Sequence, residues 1–225
     1  VRFISLLLIT LLITGCTAGP KKPPPLSKRG DTASTTDAKV NATASKLPVG
    51  PATPNPYLQD LPAVSRATQQ QFNDAVTAIE QKNWPQAERL LLRLSSEQPR
   101  LSGVQLNLGL VYRALNDPAK ATTAFQQAIN INPKNLSAYN QLAVLKRQTG
   151  DFVAAEKLYQ QALAVWPYHP ESHKNIAILY DLYLGKEQQA LAHYEAYKAL
   201  VGDNDKQLES WIADLQRRLA TPGGG

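Results

Sequence analysis

A spacing of 34 residues constrains this chain more than any other feature. Pro99, Pro133 and Pro167 keep it, as do Ala87, Ala121 and Ala155, and so do Asn73, Asn107, Gln141 and Asn175. Several residue types repeating in phase mean one supersecondary unit copied along the chain. Between these markers, apolar residues recur at helical intervals. Asn83, Asn116-Asp117-Pro118, Gly150-Asp151 and Gly185 break the pattern. Asp117 before Pro118 reads as an N-cap followed by a first-turn proline. These breaks divide each unit into a pair of helical stretches. No such pair buries its apolar face alone, so stability is a sum of interfaces between neighbouring units.

The in-phase positions have distinct characters. Leu108-Gly109 corresponds to Leu142-Ala143 and Ile176-Ala177; Tyr112 follows, then Phe125 and Tyr159, then Ala128 and Ala162. This pattern resembles the tetratricopeptide repeat. The resemblance implies an all-α helical solenoid with units at 68–101, 102–135, 136–169 and 170–204, within an array spanning 65–204. The first unit departs from the pattern, with Asp74 and Ala75 at the Leu-Gly positions. The fourth carries one extra residue, placed in its helix–helix turn, and its Tyr-Asp-Leu-Tyr-Leu-Gly run lengthens the first helix. Gly109, Ala143 and Ala177 are small because the two helices of a unit cross there. Residues 205–220 form a capping helix whose apolar stripe is Leu208, Trp211, Ile212, Leu215 and Leu219. Lys206, Glu209, Asp214, Arg217 and Arg218 fall on its outward face, and residues 221–225 are expected to fray.

In tetratricopeptide proteins the first helix of each unit lines a peptide-binding groove. Carried onto this sequence, the resemblance implies a ladder of amides at Asn73, Asn107, Gln141 and Asn175, with Asn140 beside it. A primary amide both donates and accepts, so a ladder of them holds an extended backbone without reading its sequence. Val76, Leu110, Val144 and Ile178, with Phe72 and Leu106, form an apolar stripe. Arg113, Arg147 and Lys174 add positive charge, and Asp181 follows. Two readings of the stripe stay open: a docking site for a partner, or a surface covered by residues 57–66 of the same chain. A dicarboxylate clamp is not expected, because Phe72, Val76, Ser137 and Gln141 occupy positions where it needs other residues.

The other end of the chain reads as an address. Arg2 precedes an apolar run from Phe3 to Ile13, too short for a stable bilayer span. Ile13-Thr14-Gly15-Cys16 resembles a bacterial lipobox, with 1–15 the signal peptide and Cys16 the lipidated residue. Cys16 is the only cysteine, so no intrachain disulfide forms. Thr17, rather than Asp, follows it, which in enteric-type bacteria implies sorting to the outer membrane. Residues 16–64 are rich in Pro, Lys, Ala and Thr and hold nine of the sixteen prolines. Such a segment cannot bury enough surface to order itself and is expected to be a disordered tether.

Charge and chemistry narrow the function. The net charge is +6, but residues 65–225 carry 17 basic against 15 acidic groups, so no basic nucleic-acid face is expected. There is no phosphate-cradling glycine loop, nucleophile elbow or zincin motif. His169 and His173 flank Pro170 without an evident third metal ligand and are expected in a solvated turn. No enzyme activity, cofactor or metal is expected. The layout is similar to outer-membrane lipoproteins that assemble type IV pilus secretins, though those carry more repeats and a shorter tether. It is also similar to repeat lipoproteins that recruit peptidoglycan hydrolases and proteases, and to accessory repeat proteins of energy-transduction complexes. The reading is a lipid-anchored, periplasm-facing scaffold for a protein partner. The alternative is a cell-wall protein whose basic tether contacts peptidoglycan.

Overall fold

The computed structural model describes residues 52–202 and 205–221. The signal peptide, Cys16 and most of the tether lie outside the described residues, as do 222–225 of the tail. Helices α1 (Pro56–Gln59), α2 (Arg66–Glu80), α3 (Trp84–Glu97), α4 (Ser102–Ala114), α5 (Pro118–Ile131), α6 (Leu136–Gln148), α7 (Phe152–Val165), α8 (Pro170–Leu179), α9 (Glu187–Val201) and α10 (Lys206–Ala220) account for nearly all of them. No strand occurs among the described residues. The helices pack as four successive pairs, α2–α3, α4–α5, α6–α7 and α8–α9, with α10 against α9. This is the all-α repeat solenoid that the 34-residue period predicts.

Turn chemistry is as periodic as the sequence. Lys82, Asn116, Gly150 and Gly185 each take a left-handed backbone at the turn inside a pair. Asparagine tolerates that region and glycine enters it without steric cost, whereas Lys82 does so at an expense. The next residue in the first three turns, Asn83, Asp117 or Asp151, caps the following helix by accepting a backbone N–H three residues on. Between pairs, Asn135 caps α6 in the same way while itself fully buried.

The extra residue of the fourth unit does not sit in the turn. After Leu179 the backbone widens into a π-helical turn, Tyr180–Leu184, closed by Gly185 and by Lys186 N–H donating to the Tyr180 carbonyl at 3.0 Å. A single inserted residue is what such a turn accommodates. Tyr180 stays buried, and Asp181 and Tyr183 are carried to new neighbours.

Two apolar cores run along the array. The first gathers Ala87, Leu91, Val104, Ala121, Phe125 and Ala128 with neighbours from the first three units. The second gathers Ala155, Tyr159, Ile176, Ala177 and Tyr194, and Leu208, Ile212 and Leu215 of α10 join it. Trp211 is only half-buried, tilted against Tyr194 at 5.6 Å, so the deeply packed residues of the cap are Leu208 and Leu215 rather than the tryptophan. Arg218, though exposed, also turns toward the fourth unit. It reaches Asp181 of the π turn at 2.5 Å and Glu187 of α9 at 2.8 Å, tying the cap to the fourth unit.

Candidate functional site

The first helices of the four pairs, α2, α4, α6 and α8, carry the expected groove residues one repeat apart. Each amide of the ladder spends part of its bonding capacity inside the protein. Asn73 is exposed, and its Oδ1 accepts from Gln69 Nε2 at 2.9 Å. Asn107 Nδ2 donates to the Gly103 carbonyl of its own helix at 2.8 Å. Gln141 Oε1 accepts from Arg113 Nη1, joining α6 to α4. Asn175 Nδ2 donates to Oδ1 of the buried Asn140 at 3.2 Å, joining α8 to α6. Among the described residues, the Nδ2 of Asn73, Oδ1 of Asn107, Nε2 of Gln141 and Oδ1 of Asn175 carry no hydrogen bond, an alternation of donors and acceptors.

The apolar stripe is less open than its sequence suggests. Val76, Leu106, Leu110, Val144 and Ile178 are all half-buried. Leu106 and Leu110 pack on the first core, and Val144 and Ile178 on the second. They are the edge of the core rather than a free apolar patch. Phe72 is half-buried as well, and its ring shares with the Tyr57 hydroxyl the space in front of Gly103. Part of the covering expected from residues 57–66 is thus present, at the end of the stripe nearest the first two units.

The cations differ in what surrounds them. Lys174 Nζ stands 3.9 Å from Asp205 and 5.3 Å from the Tyr197 ring centroid. Arg113 is half-buried, and desolvation pulls its pKa below the usual guanidinium value. The Arg147 guanidinium lies 5.9 Å from the Tyr183 ring centroid, and its Nη1 is enclosed with no hydrogen-bond partner. The Tyr159 hydroxyl is the other enclosed polar atom left without one among the described residues, and burial pushes its pKa up to about 12. Neither Arg113 nor Arg147 meets a carboxylate within ion-pair distance among the described residues. Asp181, the acidic residue of the groove, is occupied by Arg218.

The histidines are not in a solvated turn. His169, His173 and His193 are all buried. His169 Nδ1 is 2.7 Å from Ser172 Oγ, and its Nε2 is 3.2 Å from Glu171. His173 Nδ1 meets His193 Nδ1 at 2.9 Å. Spacing along one helix suggested exposure, but His193 arrives from α9, twenty positions on, and completes an internal pair. Trp166 and His193 also escaped the sequence reading, Trp166 because its partner Thr53 lies upstream of the array and His193 because it meets His173 only across the α8–α9 pair.

Tetratricopeptide repeat family models match residues 103–135 and 135–200. Among curated proteins the chain is similar to human tetratricopeptide repeat protein 8, 33% identical over 90 residues, covering 40% of this chain and 17% of that protein. It is also similar to the photosystem I assembly protein Ycf3 of Cyanophora paradoxa, 32% identical over 82 residues, covering 33% of this chain and 47% of that one. The chain thus spans less than half the length of these relatives. Among solved structures, Pseudomonas aeruginosa pilF aligns with a TM-score of 0.62 at 17% identity, covering 68% of this chain and 69% of that one. A thermophilic tetratricopeptide protein of Thermus thermophilus aligns at 0.57 and 22% identity, covering 68% and 82%. Residues 103–200 therefore carry tetratricopeptide repeats, and the solved structures share the solenoid fold.

Proposed function

We propose that the chain is a lipid-anchored scaffold of the Gram-negative envelope, attached to the outer membrane through Cys16 and facing the periplasm. It binds a protein partner along the groove of α2, α4, α6 and α8 and performs no chemistry. One observation carries the groove reading: Arg113 and Arg147 stand one repeat apart, half-buried and with no carboxylate partner among the described residues. Half-buried cations of this kind call for an external anion. The adjoining half-used amides suit an extended backbone, so the ligand is a peptide segment bearing an acidic residue. That a similar protein is called an assembly protein agrees with a scaffold role.

The groove is tested by photocrosslinking in the native envelope. A crosslinking side chain at the exposed Asn73 is expected to capture a partner, while one at the exposed Gln126 of α5 is not. Gln141→Ala and Leu110→Lys with Val144→Lys are each expected to weaken capture at least about tenfold, roughly the worth of one hydrogen bond to a charged or buried group. The lysine stems lie along the core edge and keep their charges outward, so the array stays folded, which circular dichroism checks. Equal adducts from both faces, or full capture by the folded variants, would place recognition elsewhere.

The anchor is tested separately. Cys16→Ser is expected to remain unprocessed at the lipoprotein site and to take up no labelled palmitate. Wild-type protein that fractionates as soluble would refute the anchor, and retention on isolated sacculi without protein partners would favour the cell-wall alternative.

A further inference from the structure

The chain upstream of the first repeat is laid across the array. Thr53 accepts a hydrogen bond at its carbonyl from Trp166 Nε1, 2.9 Å away in the turn between α7 and α8. Asn55 caps α1, its Oδ1 accepting from Tyr57 N–H at 2.9 Å. Ser102 Oγ donates to the Tyr57 hydroxyl oxygen at 3.5 Å and accepts from Asn135 Nδ2 at 3.2 Å. Ser102 and Asn135 are both buried. Burial raises the Tyr57 phenol pKa, with Ser102 opposing. Asp60 forms an ion pair with Lys134 in the turn between α5 and α6. One short segment therefore touches the start of the second unit and the ends of the second and third, and Tyr57 sits beside Phe72 at the lip of the groove.

We infer that residues 53–60 are a built-in ligand: they occupy a seat made by Phe72, Ser102, Gly103, Lys134, Asn135 and Trp166, and close that end of the groove until a partner displaces them. The seat recognises a proline-flanked aromatic hydroxyl followed three positions later by a carboxylate. Its contacts are individually weak: a long hydroxyl–hydroxyl bond, one indole–carbonyl bond and a solvent-exposed ion pair. Four residues, 61–64, separate the segment from the N-cap of α2. So short a connection gives an effective concentration on the order of millimolar, which keeps a weak ligand seated while leaving it displaceable. The inhibitory role rests on the proposed groove function; the seat itself does not.

The seat is tested on the full chain carrying Tyr57→Ala and Asp60→Ala, with a synthetic peptide of residues 52–62 as the probe. The readout is the Trp166 indole N–H resonance, identified by its loss in Trp166→Phe. Releasing the segment is expected to shift this resonance, and added peptide to restore it saturably. The wild type is expected to need at least about tenfold more peptide for any change, because its own segment competes. Gly103→Leu fills the space between the Tyr57 hydroxyl and the Phe72 ring, and in the released chain it is expected to abolish recovery. No saturable recovery at millimolar peptide, recovery unaffected by Gly103→Leu, or a wild-type dimer exchanging segments between copies would overturn the assignment. In the envelope, the released chain is expected to give more partner adduct from Asn73 than the wild type. Unchanged adduct together with normal peptide seating would overturn the inhibitory role alone, whereas absence of any adduct would count against the groove.

Discussion

Gly109→Ala is expected to destabilise the array by about 1–3 kcal/mol, the usual cost of overpacking a filled core. A Cβ at this position would lie 2.3 Å and 2.4 Å from Cε1 and Cδ1 of Phe125, and 2.9 Å from its Cζ. The ring is completely buried, so it has no solvent to swing into. On helix propensity alone the substitution would stabilise by about 1 kcal/mol, because glycine is a poor helix former. The two effects have opposite signs, which makes the outcome decisive: a neutral or stabilising result would mean that α4 and α5 part at little cost. The in-phase pairs are Ala143 with Tyr159 and Ala177 with Tyr194, all buried, so a methyl group is accommodated against the equivalent ring in the third and fourth units. Gly109→Ala combined with Phe125→Leu should recover part of the loss. Denaturant midpoints of the single and double variants give the coupling energy directly.

The same contact explains why the fold was legible. A position that must be small, facing one that must be large, recurs every repeat, so the packing rule is written as a period. Caps and turns obey it too: Asn83, Asp117 and Asp151 are in phase, and each closes a helix N-terminus. The fourth unit shows the limit of period reading. Its extra residue was visible as a shift of register, but a loop insertion and a π turn give the same shift. Only packing separates them, because the π turn keeps Tyr180 buried while sending Asp181 to Arg218.

The candidate groove residues recur one repeat apart, but the surroundings of each differ from repeat to repeat. Asn107 and Gln141 share a repeat position, yet one bonds its own helix and the other a neighbouring arginine. The stripe reads as exposed because family position says which face a residue takes, not how far its neighbours overlap it. Leu110 and Val144 lie under enough of those neighbours to belong to the core edge. The segment 53–60 was harder still. Its Pro-rich composition has no period and too little apolar surface to fold alone, and it gains order only from contacts with three repeats.

Acidification is expected to loosen the C-terminal half of the array first. Burial holds His193 at about 3, and the neighbouring His173 adds to the depression. Desolvation also lowers His173, against the opposing bond to the Pro167 carbonyl, and it lowers His169, against the opposing charge of Glu171. His193 additionally faces the Tyr180 ring at 5.7 Å. The hydrogen bonds fix the tautomers. The Pro167 carbonyl can only accept, so His173 Nε2 carries its proton and its bare Nδ1 accepts from His193 Nδ1–H. One further proton fits only at His193 Nε2, inside the core; a second would set two N–H groups against each other 2.9 Å apart. An unfolded histidine takes its proton near pH 6.5. The unfolded chain therefore binds more protons as pH falls below that value. Stability from His193 is complete above pH 6.5 and is lost progressively toward pH 3, by on the order of 2–4 kcal/mol at pH 4. His193→Gln keeps an amide N–H for His173 but cannot titrate. Its stability deficit at pH 7 is expected to narrow by at least about 1 kcal/mol between pH 7 and pH 4.5, measured by denaturant unfolding. Parallel pH profiles for the two proteins would refute the histidine account. Because repeat stability is a sum of neighbouring interfaces, hydrogen exchange at pH 4.5 should rise in α8, α9 and α10 before it rises in α2 to α5.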